Sequence, residues 1–474
     1  MENTRYLRFK TREIGDCVDS VMKPVIKTFV YKGKYYCYDT YYNRLLSVSK
    51  QHFVEINKLK NYGIEKYKSL DCKSVAYRDI LKLINKGYFR ENIVERVKHP
   101  ESDRLETLLN QCINDVVFQV TQQCNFSCRY CLYANDTHVE RNHANREMSW
   151  KIAKETVDFI YKHSSDSQSI SMSFYGGEPL LNFSLICNIV NYANSLFFSK
   201  KVNYSMTVNG SLLTNEIVDF LIKHNFNISV SLDGPKKLQN KHRRFLSSGE
   251  GTYDSVVRNL RRIKKNNILY FEQNVDFLPV IMDDEDYREV VNFFESNGID
   301  MSKVSPLKAN LSGIDYFLSN NGINNSDLYS SDESNALINQ GNEKHLFEIY
   351  NQKSYIPKVW HHGGQCVLGV RRLFVDVNGL FFPCEKITED KTMSIGNINE
   401  GFNTEKILEY LNVGDLSADR CKSCWAMRFC EVCVALCNDL DEKKISKKRK
   451  MYACDAQERK AMWFFRKLID KEGN

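Results

Sequence analysis

Between residues 112 and 285, short β-branched runs alternate with amphipathic runs of helical length. This alternation limits the fold more than any other feature of the chain. VVFQV (116–120) is an apolar strand that runs straight into a loop crowded with cysteine. MSWKIAKETVDFIYKH (148–163) has helical periodicity. SISMSFYGG (169–177) is a strand ending in Gly-Gly, VNYSMTVNG (202–210) ends in Asn-Gly, and NISVSLDG (227–234) ends in Asp-Gly, with helical runs between them. The helix TYDSVVRNLRRIKKN precedes a last strand, QNVDFLPVI (273–281). Strands alternating with helices of this length predict a parallel sheet with right-handed crossovers. Ligands bind such sheets at the carboxyl ends of the strands. The cysteine loop and the Gly-Gly-Glu, Asn-Gly and Asp-Gly turns all fall at carboxyl ends, so they should converge on one site.

The chain has 474 residues, 42% of them hydrophobic, enough for two to four domains at roughly 100–200 residues each. Its 16 cysteines do not suit a small secreted disulfide scaffold, which serves chains too short to bury a core. MENTRYLRFK has no apolar segment and no long apolar run follows, so neither a signal peptide nor a transmembrane helix is expected. A reducing cytoplasm is the expected setting, where clustered thiols read as metal ligands or catalytic groups. The net charge of +7 is modest and argues for no nucleic-acid or membrane partner. The basic run KKISKKRK (443–450) reads as a solvated helix face or loop.

The thiols divide the chain into zones. Residues 1–105 hold scattered cysteines; Cys17, Cys37, Cys72 and the nearby Cys112 lack ligand spacing and read as ordinary small residues. Residues 112–310 hold the β/α units, and 311–354, rich in Asn, Ser and Gly, read as an insertion or linker. Residues 355–474 carry Cys366, Cys384, Cys421, Cys424, Cys430, Cys433, Cys437 and Cys454.

TQQCNFSCRYCLY (121–133) places Cys124, Cys128 and Cys131 at the spacing C-x3-C-x2-C. Structural zinc takes four ligands, and iron–sulfur clusters usually take four thiolates. Three thiolates in one loop leave a position open for a substrate, unless a remote fourth ligand closes a zinc knuckle. The triplet after a first strand, with Tyr130 before its last cysteine, resembles the radical SAM enzymes. YGGEP (175–179), TVNG (207–210), SVSLDG (229–234) and HRR (242–244) occur in that family's order. The resemblance covers about 112–285. It implies an α/β fold with a partial (β/α)6 barrel, and a [4Fe–4S] cluster on Cys124, Cys128 and Cys131. S-adenosylmethionine would chelate the open iron and be cleaved by one electron, from a donor such as flavodoxin or ferredoxin, to a 5′-deoxyadenosyl radical. In those roles Gly176 and Gly177 would let backbone approach the ligand. Glu178 would accept from its ammonium and Arg243 would pair with its carboxylate. Asn209 and Ser231 would reach its ribose or methionine part, and Tyr130 would lie against the adenine.

In the third zone, Cys366, Gly379 and Cys384, then Cys421-x2-Cys424-x5-Cys430, then Cys454, resemble the SPASM extension of these enzymes, with two auxiliary [4Fe–4S] clusters. That pattern puts a further cysteine where Val434 stands, flanked by Cys433 and Cys437. The resemblance implies Cys421, Cys424, Cys430 and Cys454 for one cluster. It implies Cys366, Cys384 and Cys437 for the other, with Cys433 either fourth or spare. His361 and His362 are weaker ligand candidates, since thiolates are at hand. A pair of zinc sites is the competing reading. Glu385, directly after Cys384, stands where related sulfatase maturases carry an acidic residue, and is the candidate catalytic base.

FVYKGKYYCYDTYYNRLLSVS (29–49) reads as two strands about a Lys-Gly turn, with helical runs after it. This resembles the winged-helix element by which enzymes that modify ribosomally made peptides hold a precursor's leader, as an added strand. Three readings follow. The first is a maturase forming thioethers in a cysteine-containing precursor peptide. The second is an anaerobic sulfatase maturase making formylglycine. The third is a zinc-binding winged-helix regulator.

Overall fold

The computed structural model describes residues 23–91, 94–131, 143–282, 286–308, 340–352, 356–362 and 366–472. Most of the expected linker, 309–339, and Cys17 lie outside these residues; the linker's end forms a helix, Gln340–Asn351. The chain divides into two compact units, one up to Ile93 and one from Val94 onward.

In the first unit, β1 (Ile26–Tyr31), β2 (Lys34–Asp39) and β3 (Arg44–Val48) form an antiparallel sheet in that order. Lys32 and Gly33 both take positive φ (47° and 73°), as a two-residue hairpin turn with the right twist requires. Three helices follow: α1 (Lys50–Tyr62), α2 (Ile64–Lys68) and α3 (Val75–Asn85). The side chains of Ser49 and Ser74 cap α1 and α3. β3 and α2 are additions to the expected hairpin. Cys37 is fully buried in this unit's core, as expected of a small apolar residue.

The second unit is built on β4 (Asp115–Thr121), which leads into β5 (Phe126–Cys128), then α4 (Trp150–Lys162), β6 (Ser169–Gly176), α5 (Phe183–Leu196), β7 (Lys201–Val208), α6 (Asn215–Lys223), β8 (Asn227–Val230), β9 (Arg243–Phe245), α7 (Tyr253–Asn266) and β10 (Val275–Phe277). β4, β6, β7, β8 and β10 pair in parallel, as the β/α alternation requires. The last expected strand is broken at Leu278-Pro279, and pairing resumes only at Val280; proline has no N–H for the ladder.

The sheet does not end at β4. β11 (Leu373–Val375) pairs with it in parallel, and β12 (Leu380–Phe382), β13 (Gly396–Asn397) and β14 (Gly401–Phe402) continue antiparallel, giving a mixed nine-stranded sheet. The barrel and the cysteine-rich third zone therefore share one sheet and one core, which includes Phe118, Phe374, Cys430 and Cys437.

Along the parallel strands, alternate residues differ sharply in burial. Ile170, Met172 and Phe174, Tyr204 and Met206, and Ile228 and Val230 are buried in the core that also holds the helices' apolar faces. Ser171, Ser173, Tyr175, Asn203, Ser205, Thr207 and Ser229 stand half-buried on the other face. A parallel sheet covered on both sides reads as a continuous apolar run; the alternation in SISMSFY records a face left polar. No helix among the described residues is long and apolar enough to cross a membrane.

Candidate active site

The cysteine loop is built by the ends of β4 and β6. Gly177 N–H donates to Thr121 O (3.2 Å) and Glu178 N–H to Gln123 O (2.8 Å). A Cβ on Gly176 would stand 2.1 Å from Thr121 O, and one on Gly177 2.2 Å from Gln123 O. The glycines thus admit the chain's own backbone on the side where a Cβ would stand. Gly177→Ala should destabilise the unit by about 1–3 kcal/mol, since backbone has little freedom to yield. Urea unfolding of the anaerobic protein, followed by circular dichroism, measures this.

Glu178 is buried, and burial pushes its carboxyl up to about 7, against two backbone donors that favour the charged form. Those donors are Asn209 N–H (2.7 Å) and Leu180 N–H (3.2 Å), so the carboxylate ties the end of β6 to the end of β7. The Asn209 amide donates to Asn125 Oδ1 (2.7 Å) and accepts from the Ser211 hydroxyl (2.7 Å). Asn125 donates in turn to Ser211 Oγ (3.0 Å). This closed ring reaches into the cysteine loop, where Asn125 follows Cys124. Of the side chains nominated for the nucleotide, Ser231, half-buried beyond β8, has no side-chain hydrogen bond among the described residues.

β5 and β9 pair antiparallel with Cys128 opposite Arg243, whose positive charge acts on the Cys128 thiol. Arg243 makes a bidentate contact with Asp233 (3.0 and 3.1 Å), and its guanidinium lies 5.2 Å from the centre of the Tyr130 ring. The Tyr130 hydroxyl donates to Asp233 Oδ2 at 2.5 Å, and Val280 N–H donates to Oδ1 at 2.9 Å. Arg243 and Tyr130, expected to meet ligand, are thus engaged within the protein. Asp233 holds both, is 1% exposed, and was hidden in a Leu-Asp-Gly-Pro string that reads as a turn.

Cys124, Cys128 and Cys131 lie near enough for Cys124 to feel both others electrostatically. Burial pushes the Cys124 and Cys128 thiols up to about 12. His143 Nε2 is 3.8 Å from Cys131 Sγ, and burial lowers its pKa, keeping it neutral. Three thiols beside a fixed guanidinium suit an anionic, sulfur-ligated group.

The third-zone thiols fall into two groups. Cys421, Cys424, Cys430 and Cys454 line one small cavity. His362 also lines it; burial lowers its pKa to about 3, and neither ring nitrogen has a hydrogen-bond partner. Among the described residues no three His, Cys, Asp or Glu side chains converge on a single ion. The run KKISKKRK is only partly solvated, because Arg449 and Lys450 are buried, and Lys450 Nζ donates to Cys421 Sγ at 3.2 Å. In the second group, Cys366, Cys384 and Cys437 each feel the charge of Cys433, and Cys437 also feels Cys421 and Cys454 of the first group.

Glu385 lies near the start of β4, a strand's length or about 20 Å from the cysteine loop. Burial would raise its pKa, but the charge and hydrogen bonds of Arg372 outweigh burial and hold the carboxyl below its ordinary value. Arg372 contacts it at 2.7 and 3.0 Å and reaches Asp115 at 3.5 Å. Asp115, a carboxylate no motif pointed to, is raised by its burial. At the other end of β4, Glu389 accepts from the amides of Gln119 (2.6 Å) and Gln122 (3.1 Å).

A parallel β/α sheet carries a thiol triplet at its carboxyl edge, braced by buried polar clasps, an arrangement suited to a sulfur-ligated group at the strand ends. Residues 118–296 match the radical SAM superfamily, and the chain carries a radical SAM domain. That domain implies S-adenosylmethionine and a [4Fe–4S] cluster. The chain is 24% identical over 409 residues to the radical SAM cyclopropyl synthase TigE of Paramaledivibacter caminithermalis, covering 82% of this chain and 80% of that one. It is 23% identical over 379 residues to the cysteine-type anaerobic sulfatase-maturating enzyme of Clostridium perfringens, covering 74% of this chain and 96% of that one. Among solved structures, native anSMEcpe with bound AdoMet and Cp18Cys peptide superposes with a TM-score of 0.53 at 18% identity, covering 76% of this chain and 99% of that one. The protein is therefore a radical SAM enzyme related to peptide and sulfatase maturases.

Proposed function

We propose that this enzyme is a peptide maturase that forms thioether cross-links from the cysteines of a ribosomally made precursor. The observation that best supports this is the polar face of the sheet. Ser173, Ser205, Thr207 and Ser229 line it between the Cys124 loop at one end of the strands and Glu385 with Cys384 at the other. Ser173 and Ser205 already bond across the strands at 2.7 Å, and such hydroxyls suit an extended peptide backbone better than an apolar metabolite.

When bound, the cluster and S-adenosylmethionine supply a carbon radical that takes hydrogen from the substrate. Cys124, Cys128 and Cys131 hold the cluster, Arg243 steadies Cys128, and Glu178 keeps the strand ends aligned around them. Glu385, held ionised by Arg372, would accept a proton only from a substrate group brought within hydrogen-bond reach of it. Cys421, Cys424, Cys430 and Cys454 hold one auxiliary cluster. Cys366, Cys384 and Cys437 hold the other, with Cys433, whose charge all three feel, as fourth ligand. Three clusters amount to about 12 irons per chain. The electrons come from a flavodoxin- or ferredoxin-type donor.

A sulfatase maturase is the second reading, favoured by the 96% coverage of the Clostridium perfringens enzyme. Against it, the solved maturase structure takes up only 76% of this chain while being itself covered to 99%, so about a quarter of this chain is extra to it. We assign that surplus to the N-terminal unit and read its three-stranded sheet with α1–α3 as a leader-binding, winged-helix-like element, the leader adding a strand at β3. A leader-bearing precursor should then bind the full chain at least about tenfold more tightly than its core peptide alone, as measured by fluorescence anisotropy.

Mass spectrometry of peptides treated with the anaerobically reconstituted enzyme, S-adenosylmethionine and dithionite separates the two readings. A thioether keeps its sulfur and loses two hydrogens, whereas formylglycine made from cysteine loses its sulfur. Conversion of the sulfatase peptide alone would overturn the proposal.

A further inference from the structure

Lys450 is fully buried, which is rare for lysine. It sits in the first turn of α8 (Lys447–Glu472), whose start Ser446 holds. The Ser446 hydroxyl donates to Asp439 Oδ2 (2.9 Å) and accepts from Arg449 N–H (3.2 Å), and Ser446 O accepts from Lys450 N–H (3.1 Å). Lys450 Nζ has three contacts, one for each of its protons: Gly414 O (2.8 Å), Ser417 Oγ (2.7 Å) and Cys421 Sγ (3.2 Å). Among the described residues no carboxylate lies within ion-pair distance of it. The nearby Asp455 and Glu458 are taken by Arg420 (2.7 and 2.9 Å). A buried cation without a countercharge is costly. The group that can supply negative charge here is whatever the four thiolates of Cys421, Cys424, Cys430 and Cys454 hold.

We propose that Lys450 is the fixed countercharge of the iron–sulfur cluster on those four cysteines, and that its contact with Cys421 raises that cluster's reduction potential. The inference rests on the auxiliary-cluster reading given above. Hydrogen bonds to the ligand sulfurs, net charge and solvent exposure set such potentials. A [4Fe–4S] core with four thiolates goes from a net charge of minus two to minus three when it takes one electron, with no bond made or broken. A cation in contact with a ligand sulfur favours the more negative state. Lys450 has no lone pair to offer iron as an ammonium, so it acts through Cys421 as a positioning residue.

The test is an anaerobic potentiometric titration of the full holoenzyme with dithionite, followed by electron paramagnetic resonance, comparing wild type with Lys450→Gln. One midpoint should fall by at least a tenfold change in the redox equilibrium, about 59 mV for one electron, while the others stay in place. Unmoved midpoints in a fully loaded variant would overturn the proposal. Wild-type enzyme carrying nitrogen-15 lysine gives a second measurement that needs no variant. Its reduced clusters should show a lysine-nitrogen coupling by electron–nuclear double resonance, and absence of that coupling also overturns the proposal. If Cys421→Ala with Cys424→Ala costs no iron, the auxiliary-cluster reading itself fails, and the two failures are thereby told apart.

Discussion

Replacing Arg243 with methionine should destabilise the barrel unit by about 3–5 kcal/mol and strip the Cys124 loop of its iron. The first figure is the usual cost of removing one partner from a buried ion pair. Asp233 is 1% exposed and takes two of its four hydrogen bonds from Arg243. Without them it is a buried carboxylate left with the Tyr130 hydroxyl and one backbone N–H, or it must take up a proton. The second effect follows from the β5–β9 register, which sets Arg243 across from Cys128. The charge of that guanidinium acts on Cys128 and opposes the burial that pushes its thiol up. Arg243→Lys should rescue only part of either loss, because an ammonium cannot reproduce the bidentate fork. The double variant with Asp233→Asn should cost less than the sum of the singles, since neither charge is then stranded. Anaerobic urea titrations and iron counts measure both effects. An Arg243→Met protein with wild-type stability and full iron would show that the clasp braces nothing.

The clasp also shows where sequence reading stops. The strands, the order of their turn signals and the thiol triplet were legible because each is written in a few consecutive residues: period-two burial, Gly-Gly, Asn-Gly, and C-x3-C-x2-C. Asp233 was not, because Leu-Asp-Gly-Pro is sufficient as a turn, and only the fold brings Arg243 and Tyr130 to it from elsewhere in the chain. Lys450 was read as part of a solvated basic run, because charge composition cannot tell which member of KKISKKRK the helix turns inward. The joining of β11–β14 to the barrel sheet was equally hidden. LFV and LFF are too short to announce a strand, and the pairing of LFV with β4, on which LFF then builds, spans more than 250 residues of chain. The need for a missing Cβ at Gly176 and Gly177 is legible in the sequence, but not that the Thr121 and Gln123 carbonyls take up that space. Cys433 could not be placed by spacing, since what gathers it with Cys366, Cys384 and Cys437 is the packing of distant segments.

Changing Cys124, Cys128 and Cys131 together to alanine should remove about four of about 12 irons and abolish S-adenosylmethionine cleavage, with the remaining irons retained. The loss should be complete because no thiol outside the triplet acts on Cys124, and the third-zone cysteines belong to other groups. Retention of the rest follows from the same separation: Cys384 lies beside Glu385, near the opposite end of β4. The triple variant is the decisive one. After a single Cys131→Ala change, His143, neutral and already 3.8 Å from that sulfur, could supply a nitrogen in its place and leave part of the iron bound. Iron and sulfide counts, with liquid chromatography of 5′-deoxyadenosine after dithionite reduction, read both quantities on one sample. Cleavage that survives the triple change would place the reductive chemistry at a third-zone cluster and make the triplet structural. A loss of all the iron would mean that the three sites fill cooperatively, as the sheet shared by barrel and third zone would then require.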